Sequence, residues 1–262
     1  MVLRFSLFAL VFLFVSCSDM KFNNPYDPDS PNWIGNSSSS AETVPGSSSP
    51  SDAPSSSSVP VQTEIIYGKS VSYQGETYQT VLIGNQTWFK RNLNYNVEGS
   101  RCYNDSITNC DKYGRLYNWA TAMGIDAKYN NDWWDIDEVK VNEKHKGICP
   151  SGWHIPSDAE WTTLADYVGS SAGTKLKATS GWINDRGKPA GNGDDVFGFS
   201  ALPGGYGTSD GSFYVGYDGY WWSASEYIAS LAYFRRMIYI NESVNRGGYN
   251  KSYLQSVRCL QD

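Results

Sequence analysis

The chain has 262 residues and a net charge of −6, with 10 Trp, 19 Tyr and 25 Gly but only two histidines. This acidic balance excludes nucleic acid as the expected partner, because nucleic-acid binders need a basic surface to displace counterions. The sequence has no phosphate-binding loop, no dinucleotide-binding glycine motif and no H-E-x-x-H motif. His145 and His154 cannot build a zinc site alone, and no C-x-x-C pair occurs, so we expect no metal and no cofactor.

Residues 1–16 have the features of an export signal. Arg4 is followed by Phe5–Val15, an almost unbroken apolar run of 11 residues. A run of this length is typical of a signal peptide and is too short to span a bilayer, which takes about 20 residues. Phe14–Cys17 resembles the bacterial lipobox, although Phe14 replaces the usual leucine. We expect a signal peptide over 1–16 and a lipid on Cys17; ordinary cleavage beside an incidental Cys17 is the alternative.

Ser18 bears on the destination of such a lipoprotein. An aspartate directly after the lipidated cysteine retains lipoproteins at the inner membrane, and Ser18 occupies that position here. By analogy, we expect an exported protein held at the outer membrane or cell surface through its lipid anchor.

The next two segments predict a tether. Residues 17–35 form an extended leader, and residues 36–60 contain 12 serines and 4 prolines among 25 residues. Such a composition cannot bury enough apolar area to offset the loss of chain entropy, so we expect a disordered stalk. Its root-mean-square reach is roughly 25–30 Å. Residues 61–262 then form one domain.

The domain begins with a predicted hairpin and a predicted helix. Tyr78–Ile83 and Gln86–Phe89 flank a Gly-Asn pair, a common two-residue hairpin turn. Tyr113–Met123 places apolar residues at i, i+3, i+4 and i+7, which predicts an amphipathic helix.

A second helix is marked more clearly. Ser157 and Glu160 have the spacing of a capping box, an apolar stripe runs from Trp161 to Val168, and Gly169 follows. The rest of the chain is rich in glycine and has four runs that favour strands, namely Ser212–Tyr217, Tyr220–Ser225, Ala232–Ile240 and Gln255–Leu260. Two early helices followed by a long-loop antiparallel sheet indicate the α+β class.

The cysteine count supports export. Five cysteines is an odd number, and assigning Cys17 to the lipid leaves four, an even set that suits an oxidising compartment. Those four allow three pairings. Loop economy favours one bridge between Cys102 and Cys110 and one between Cys149 and Cys259.

Seven motifs, in order along the chain, carry a resemblance. They are Ile83–Trp88, Asn92–Tyr95, Tyr113–Trp119, Cys149–Trp161, Gly198–Gly205, Tyr220–Glu226 and Ser256–Cys259. Together they resemble the Fibrobacter succinogenes major paralogous domain over about residues 80–261. That family implies an exported lipoprotein and implies no defined biochemical activity.

A more distant resemblance concerns the fold. Pro156–Trp161 is similar to the helix start of formylglycine-generating sulfatase-modifying domains, which have a C-type-lectin-like fold. Val257–Cys259 resembles the final strand of that fold, in which a bridge from the first half to the last strand is typical. The resemblance therefore implies a C-type-lectin-like domain.

The same resemblance does not extend to the known chemistry of those relatives. The enzymes use a late cysteine pair for copper-dependent oxidation, whereas Cys259 is the only late cysteine here. Calcium-dependent lectins use Glu-Pro-Asn or Gln-Pro-Asp together with Trp-Asn-Asp, and none of these triplets occurs. We therefore expect a domain that is not an enzyme.

Aromatic residues are the candidate ligand-binding residues. Trp221 and Trp222 lie in a predicted strand, so their rings point to opposite faces, and the Trp222 ring is a candidate platform for a sugar ring. Packing of both rings in the core is the alternative. A cluster of tyrosines interleaved with glycine is a second candidate, because tyrosine combines an apolar body with a polar tip. This cluster consists of Tyr206, Tyr214, Tyr217 and Tyr220.

Trp133 and Trp134 are the last candidates. They lie in Asn131–Glu138 among four carboxylates. Calcium chelation by this segment and a solvated acidic loop are the two interpretations, and the loop is favoured because the EF-hand pattern is missing.

Taken together, these features predict an exported, lipid-anchored surface protein that presents a non-catalytic binding module. The expected partner is polysaccharide or another surface ligand. The alternative is a structural or adhesion protein that binds a protein partner and uses its aromatic residues mainly as core.

Overall fold

A computed structural model describes residues 64–130, 141, 144–184 and 191–262. The predicted signal, the lipid site at Cys17, the leader, the stalk, and Trp133 and Trp134 lie outside the described residues. In the part that is described, no helix is long and apolar enough to cross a membrane.

The described chain is a mixed helix and sheet structure, and all pairs of its named strands are antiparallel. The strands are β1 (Ile66–Tyr67), β2 (Val71–Tyr73), β3 (Glu76–Tyr78), β4 (Thr80–Ile83), β5 (Gln86–Phe89), β6 (Ser100–Arg101), β7 (Leu116–Tyr117), β8 (Trp153–His154), β9 (Tyr206–Thr208), β10 (Gly211–Phe213), β11 (Asp218–Ile228), β12 (Leu231–Ile238), β13 (Asn245–Asn250) and β14 (Leu260–Gln261). The helices are α1 (Ile107–Tyr113), α2 (Trp119–Met123), α3 (Asp158–Val168) and α4 (Ala172–Leu176), with 3-10 turns at Tyr103–Asp105 and Ala127–Asn130.

Two sheets organise the domain. The larger has the order β1-β4-β5-β14-β8, so the last strand of the chain lies between two early strands. Leu260 in β14 pairs with Trp88 on one side and with His154 on the other. The smaller sheet has the order β11-β12-β13, and three two-stranded ribbons accompany it. The α+β prediction is therefore confirmed at this level.

Two of the local predictions are confirmed by the backbone. The hairpin of β4 and β5 turns at Gly84, whose φ is 61°. Helix α3 begins with the predicted capping box, in which Ser157 accepts from the Glu160 amide and Glu160 accepts from the Ser157 amide. Gly169 ends the helix at φ 74°.

The predicted helix over Tyr113–Met123 is wrong. Helix α1 ends at Tyr113, β7 follows, and only Trp119–Met123 is helical. Gly114 explains the break: its φ is 79°, and a β-carbon there would lie 2.8 Å from the Leu93 carbonyl oxygen. Asn118 then caps α2 by accepting from the Thr121 amide. The periodic apolar residues are buried, but from separate elements.

Two of the predicted strands are shorter than expected. The run Ser212–Tyr217 is extended only as far as Phe213, because Tyr214 adopts a left-handed backbone with φ 63°. In Gln255–Leu260 only Leu260 belongs to a named strand, while Gln255 and Ser256 form isolated bridges.

The cysteine pairing favoured by loop economy is confirmed. Cys102 is bonded to Cys110, and Cys149 is bonded to Cys259. The second bridge joins residues 110 positions apart and fixes the segment before β8 to the segment before β14.

Trp221 and Trp222 divide the core into two clusters. Both rings are fully buried, on opposite faces of β11. Trp222 packs in the cluster that contains the Cys149–Cys259 bridge, and Trp221 packs in the other, with Trp88 and Trp161. The Trp222 ring is therefore not an exposed platform, and the interpretation that both rings pack in the core is confirmed.

A buried cation fastens the C-terminal segment to the second of these clusters. Arg258 donates to Asn92 Oδ1 through Nε and Nη2 at 3.2 and 2.8 Å, and to the Phe199 carbonyl. Its guanidinium lies 4.2 Å above the Phe199 ring. Complete burial lowers the pKa of Arg258 to about 9, against the opposing effect of Asp195.

Candidate functional site

Six aromatic rings meet beside the three-stranded sheet. Tyr206 lies at their centre, with its ring centroid 5.1–5.9 Å from each of the other five. We call this group the aromatic cluster, and its other members are Phe213, Tyr214, Tyr220, Tyr249 and Tyr253. Tyr214 and Tyr253 stack on Tyr206 with interplanar angles of 22° and 11°. The cluster therefore presents mutually packed rings rather than isolated side chains.

The cluster extends from the core to the surface. Tyr220 is buried and contacts Phe234, whereas Phe213 and Tyr214 are 39% and 43% exposed. Tyr206, Tyr249 and Tyr253 are partly exposed. Rings that pack against the core on one side and are exposed to solvent on the other lose little conformational freedom when a ligand binds.

A buried ion pair supports the inner end of the cluster. Arg236 donates to Asp218 Oδ2 at 2.7 Å, and the Tyr220 hydroxyl donates to the same oxygen at 3.2 Å. The Arg236 guanidinium lies 5.1 Å from the Tyr220 ring centroid. Burial raises the pKa of Tyr220 well above 10, which keeps its hydroxyl protonated. Because strand pairing places Arg236 opposite Tyr220, this network fixes the ring that underlies Tyr206.

Backbone geometry positions the outer end. In the β9–β10 hairpin, Phe213 pairs directly with Tyr206. Tyr214 follows with φ 63°, a conformation uncommon for a bulky residue and often found at functional sites. Gly205 precedes the hairpin with φ 66°, and a β-carbon there would lie 2.2 Å from the Phe213 carbonyl oxygen. Only glycine allows this close approach without a shift of the backbone.

The structure brings together three of the four predicted tyrosines. Tyr206, Tyr214 and Tyr220 belong to the aromatic cluster. Tyr217 is 40% exposed but packs edge-to-face on Tyr239 instead. Trp222 is fully buried.

Three members of the cluster were missed by the sequence reasoning. Phe213 lies beside Tyr214 in the sequence and could have been included with it. Tyr249 and Tyr253 come from β13 and the segment after it, more than 30 residues further along. The only local signal was the pair of glycines before Tyr249, which resembles the Gly-Tyr interleaving at 204–220.

The model of the Fibrobacter succinogenes major domain family matches residues 81–261. The chain belongs to this family. No curated protein and no solved structure gives a match. The match to the Fibrobacter major domain includes every residue of the aromatic cluster.

A second polar centre of this Fibrobacter major domain lies at the start of α3. His154 is buried, and its Nε2 lies 2.9 Å from Glu160 Oε1 while its Nδ1 lies 2.8 Å from Asp262 Oδ1. Burial alone would lower the pKa of His154, but the hydrogen bonds with the two carboxylates outweigh burial and raise it. The centre joins α3 to the last residue of the chain.

A cleft lies next to this centre and is lined in part by its hydrogen-bonded residues. Its volume is about 430 Å³, and Ser157 and Glu160 are among its lining residues. Glu160 Oε1 is already engaged by His154, and Oε2 accepts from Ser157. Burial alone would raise the pKa of Glu160, but its hydrogen bonds with His154 and Ser157 lower it, so the carboxyl stays ionised.

The sequence Gly207–Gly211 has the Gly-x-Ser-x-Gly pattern. In hydrolases this motif places a nucleophilic serine on a strand-to-helix turn. Here it forms the turn between β9 and β10, and Ser209 Oγ donates to the neighbouring Asp210 at 2.8 Å. A strand-to-strand turn of this kind does not provide the nucleophile geometry.

Within residues 64–130, 141, 144–184 and 191–262, no group of three or more His, Cys, Asp or Glu side chains could hold a metal ion. The acidic segment Asn131–Glu138 lies outside these ranges.

Proposed function

We propose that the chain is an exported, lipid-anchored cell-surface protein whose Fibrobacter major domain binds polysaccharide through the aromatic cluster, without catalysis. The observation that carries this proposal is the packing of partly exposed tyrosines around Tyr206, with Tyr214 held in a left-handed backbone. A tyrosine ring offers an apolar face to the C–H face of a pyranose and a hydroxyl to its hydroxyl groups.

The composition of the cluster favours a sugar over a purely apolar ligand. Five of its six rings are tyrosines, so every exposed ring of the cluster except that of Phe213 carries a hydroxyl group. The exposed rings also rest on buried neighbours, which holds the platform in place before a ligand binds.

A finer fold assignment accompanies the proposal. We assign the domain a C-type-lectin-like fold, on the resemblance of its motifs. Helices α1–α4 precede the β11-β12-β13 sheet, β14 pairs with β5 and β8, and the Cys149–Cys259 bridge reaches the last strand region. Helices before a sheet and a bridge from the first half of the domain to the last strand are what the resemblance implies.

Export and anchoring rest on the N-terminal sequence and on the disulfides. Two disulfide bonds indicate an oxidising compartment. Lipidation at Cys17 would then leave the stalk to carry the domain away from the membrane.

The alternative, an adhesion protein with a protein partner and aromatic residues serving as core, has one specific observation in its favour. Every tryptophan in the described ranges is buried. These residues are Trp88, Trp119, Trp153, Trp161, Trp182, Trp221 and Trp222. The described tryptophans are therefore core, and the binding proposal depends on tyrosine.

A pull-down with a panel of insoluble glycans tests the binding proposal. The full chain with Cys17→Ser, which prevents lipidation, should bind at least one glycan. Tyr214→Asn keeps a residue that tolerates the left-handed backbone, and should weaken binding roughly 10- to 70-fold if about 50–100 Å² of ring face is buried at about 25 cal/mol per Å².

Tyr217→Asn is the matched control, because Tyr217 is equally exposed but lies outside the cluster. It should bind like the parent chain. Absence of binding to every glycan would refute the proposal and leave the adhesion alternative. Palmitate labelling tests the anchor separately: labelling should require Cys17, and retention of label in Cys17→Ala would refute lipidation there.

A further inference from the structure

A cleft next to the Cys102–Cys110 bridge contains two arginines. Its volume is about 280 Å³, and its lining residues are Ser100, Arg101, Cys102, Asp105, Ile107 and Arg115. Pairing of β6 with β7 creates the cleft, because Arg101 pairs with Leu116 and Arg115 directly precedes it. Both arginines thus line one cleft through tertiary pairing and not through sequence proximity.

Neither arginine is neutralised by a carboxylate within the described residues. Arg101 is exposed, and in the described part of the chain its guanidinium has no hydrogen bond or ion pair. Among the described residues, the Arg115 guanidinium donates only to Ser100 Oγ, at 3.3 Å, and Ser100 Oγ in turn donates to the Val97 carbonyl at 2.6 Å. Four other arginines of the domain, Arg91, Arg235, Arg236 and Arg246, each pair with an acidic residue.

The other walls of the cleft restrict what fits. Ile107 is 62% exposed and offers an apolar surface beside the two charges. Asp105 contributes one carboxylate, so the cleft keeps a net positive charge in a chain whose overall charge is −6. An anion with one apolar face matches these walls better than an inorganic ion does.

The Tyr103–Asp105 turn contributes to the cleft and also contacts the hairpin of the aromatic cluster. The Tyr103–Asp105 turn contributes Asp105 to the cleft, while its Asn104 amide donates to Ser212 Oγ in β10 at 3.1 Å. Tyr103 also contacts the same hairpin, since its hydroxyl accepts from the Val215 amide at 3.4 Å. The Tyr103–Asp105 turn therefore borders the cleft and is hydrogen-bonded to the chain that carries Phe213 and Tyr214.

We infer that Arg101 and Arg115 form a subsite for the carboxylate of a hexuronate residue, so that the polysaccharide ligand of the domain is an acidic one. Guanidinium groups bind carboxylates through paired, charge-assisted hydrogen bonds, and two guanidinium groups can donate to both carboxylate oxygens. Ile107 packs against the sugar ring. This inference rests on the proposed function, because it takes the ligand to be a polysaccharide.

Affinity measurements with a charged and an uncharged form of one polymer test the inference. The probes are polygalacturonate and the same polymer after complete methyl esterification, which removes the charge. The full chain with Cys17→Ser should bind the acidic form roughly 10- to 100-fold more tightly, as expected for a charge-assisted contact. Arg101→Gln/Arg115→Gln should abolish that difference.

Three variants sharpen the interpretation. Lys69→Gln/Lys146→Gln removes the same charge from exposed positions outside the cleft and should keep the preference. Arg101→Lys/Arg115→Lys keeps the charge but loses the planar fork, and should lose most of the preference. Asp105→Asn removes the competing carboxylate and should tighten binding of polygalacturonate. Unchanged far-ultraviolet circular dichroism confirms that each variant is folded.

The outcomes separate this inference from the proposed function. Equal binding of both polymer forms would overturn the hexuronate subsite and leave the aromatic platform standing. Loss of the preference in the lysine control would also overturn the subsite. If Arg101→Gln/Arg115→Gln abolishes the preference while Tyr214→Asn changes neither polymer's affinity, the subsite is supported and the aromatic platform is refuted. Binding of neither polymer would overturn the subsite, and the insoluble-glycan panel then decides the platform by itself.

Discussion

The two disulfide bonds should contribute very unequally to stability. Cross-linking a loop of n residues lowers the entropy of the unfolded chain by about 2.1 + 1.5R ln n cal/mol/K. For the 110-residue separation of Cys149 and Cys259 this amounts to about 4.8 kcal/mol at 25 °C, and for the 8-residue separation of Cys102 and Cys110 to about 2.5 kcal/mol. The long bridge also holds the segment that leads into β14, which lies between β5 and β8 in the larger sheet.

Urea denaturation of two double variants measures the difference. Cys149→Ala/Cys259→Ala should lose about 2 kcal/mol more free energy of unfolding than Cys102→Ala/Cys110→Ala. Alanine is chosen because the cysteines are buried, so that a polar replacement would add a desolvation cost. An equal loss, or a larger loss for the short bridge, would refute the reasoning from chain entropy. It would mean that native packing around Cys102 governs the effect.

Two titrations and one glycine give the remaining predictions. The folded-state pKa of His154 is raised from 6.5, so the contribution of His154 to stability is complete below about pH 6.5 and is lost at higher pH. The difference in unfolding free energy between the parent chain and His154→Gln should therefore shrink from pH 6 to pH 8. Burial lowers the pKa of Lys177 to about 8, so Lys177 adds stability as the pH rises from about 8 to 10.5. In urea titrations the parent chain should therefore gain free energy of unfolding relative to Lys177→Met over that range. Gly205→Ala should displace the β9–β10 hairpin and weaken glycan binding, whereas Gly75→Ala, with open space around it, should change only stability; equal glycan binding by both glycine variants would contradict the positioning role of Gly205.

Local elements were predicted where the signal was local. The capping box of Ser157 and Glu160 and the hairpin turn at Gly84 depend on neighbouring residues, and both are confirmed. The disulfide pairing followed from loop lengths alone. The helix over Tyr113–Met123 failed because its apolar spacing is also satisfied by two short elements, and the break at Gly114 depends on the backbone of Leu93.

The aromatic cluster, too, could be predicted only where its residues lie close together in the sequence. Tyr206 and Tyr214 could be named because glycine and tyrosine alternate around them, and Tyr220 could be named although strand pairing buries it. Tyr249 and Tyr253 reach Tyr206 only through the pairing of β12 with β13 and the return of the chain at Leu254. The sequence alone therefore does not predict that Tyr249 and Tyr253 lie beside Tyr206.

The arginine cleft could not be predicted for a related reason. Arg101 and Arg115 lie 14 positions apart, with no spacing that marks a pair. Only the two-residue ribbon of β6 and β7 brings them together. The tryptophans of the described residues, abundant in the sequence, are part of the packed core.

A crystal structure of the domain with a bound oligosaccharide tests the central claim most directly. The account predicts a sugar ring whose apolar face lies about 4 Å from the rings of Tyr206 and Tyr214, an ordinary van der Waals separation. A glycan bound elsewhere on the domain, with the aromatic cluster uncovered, would contradict the account.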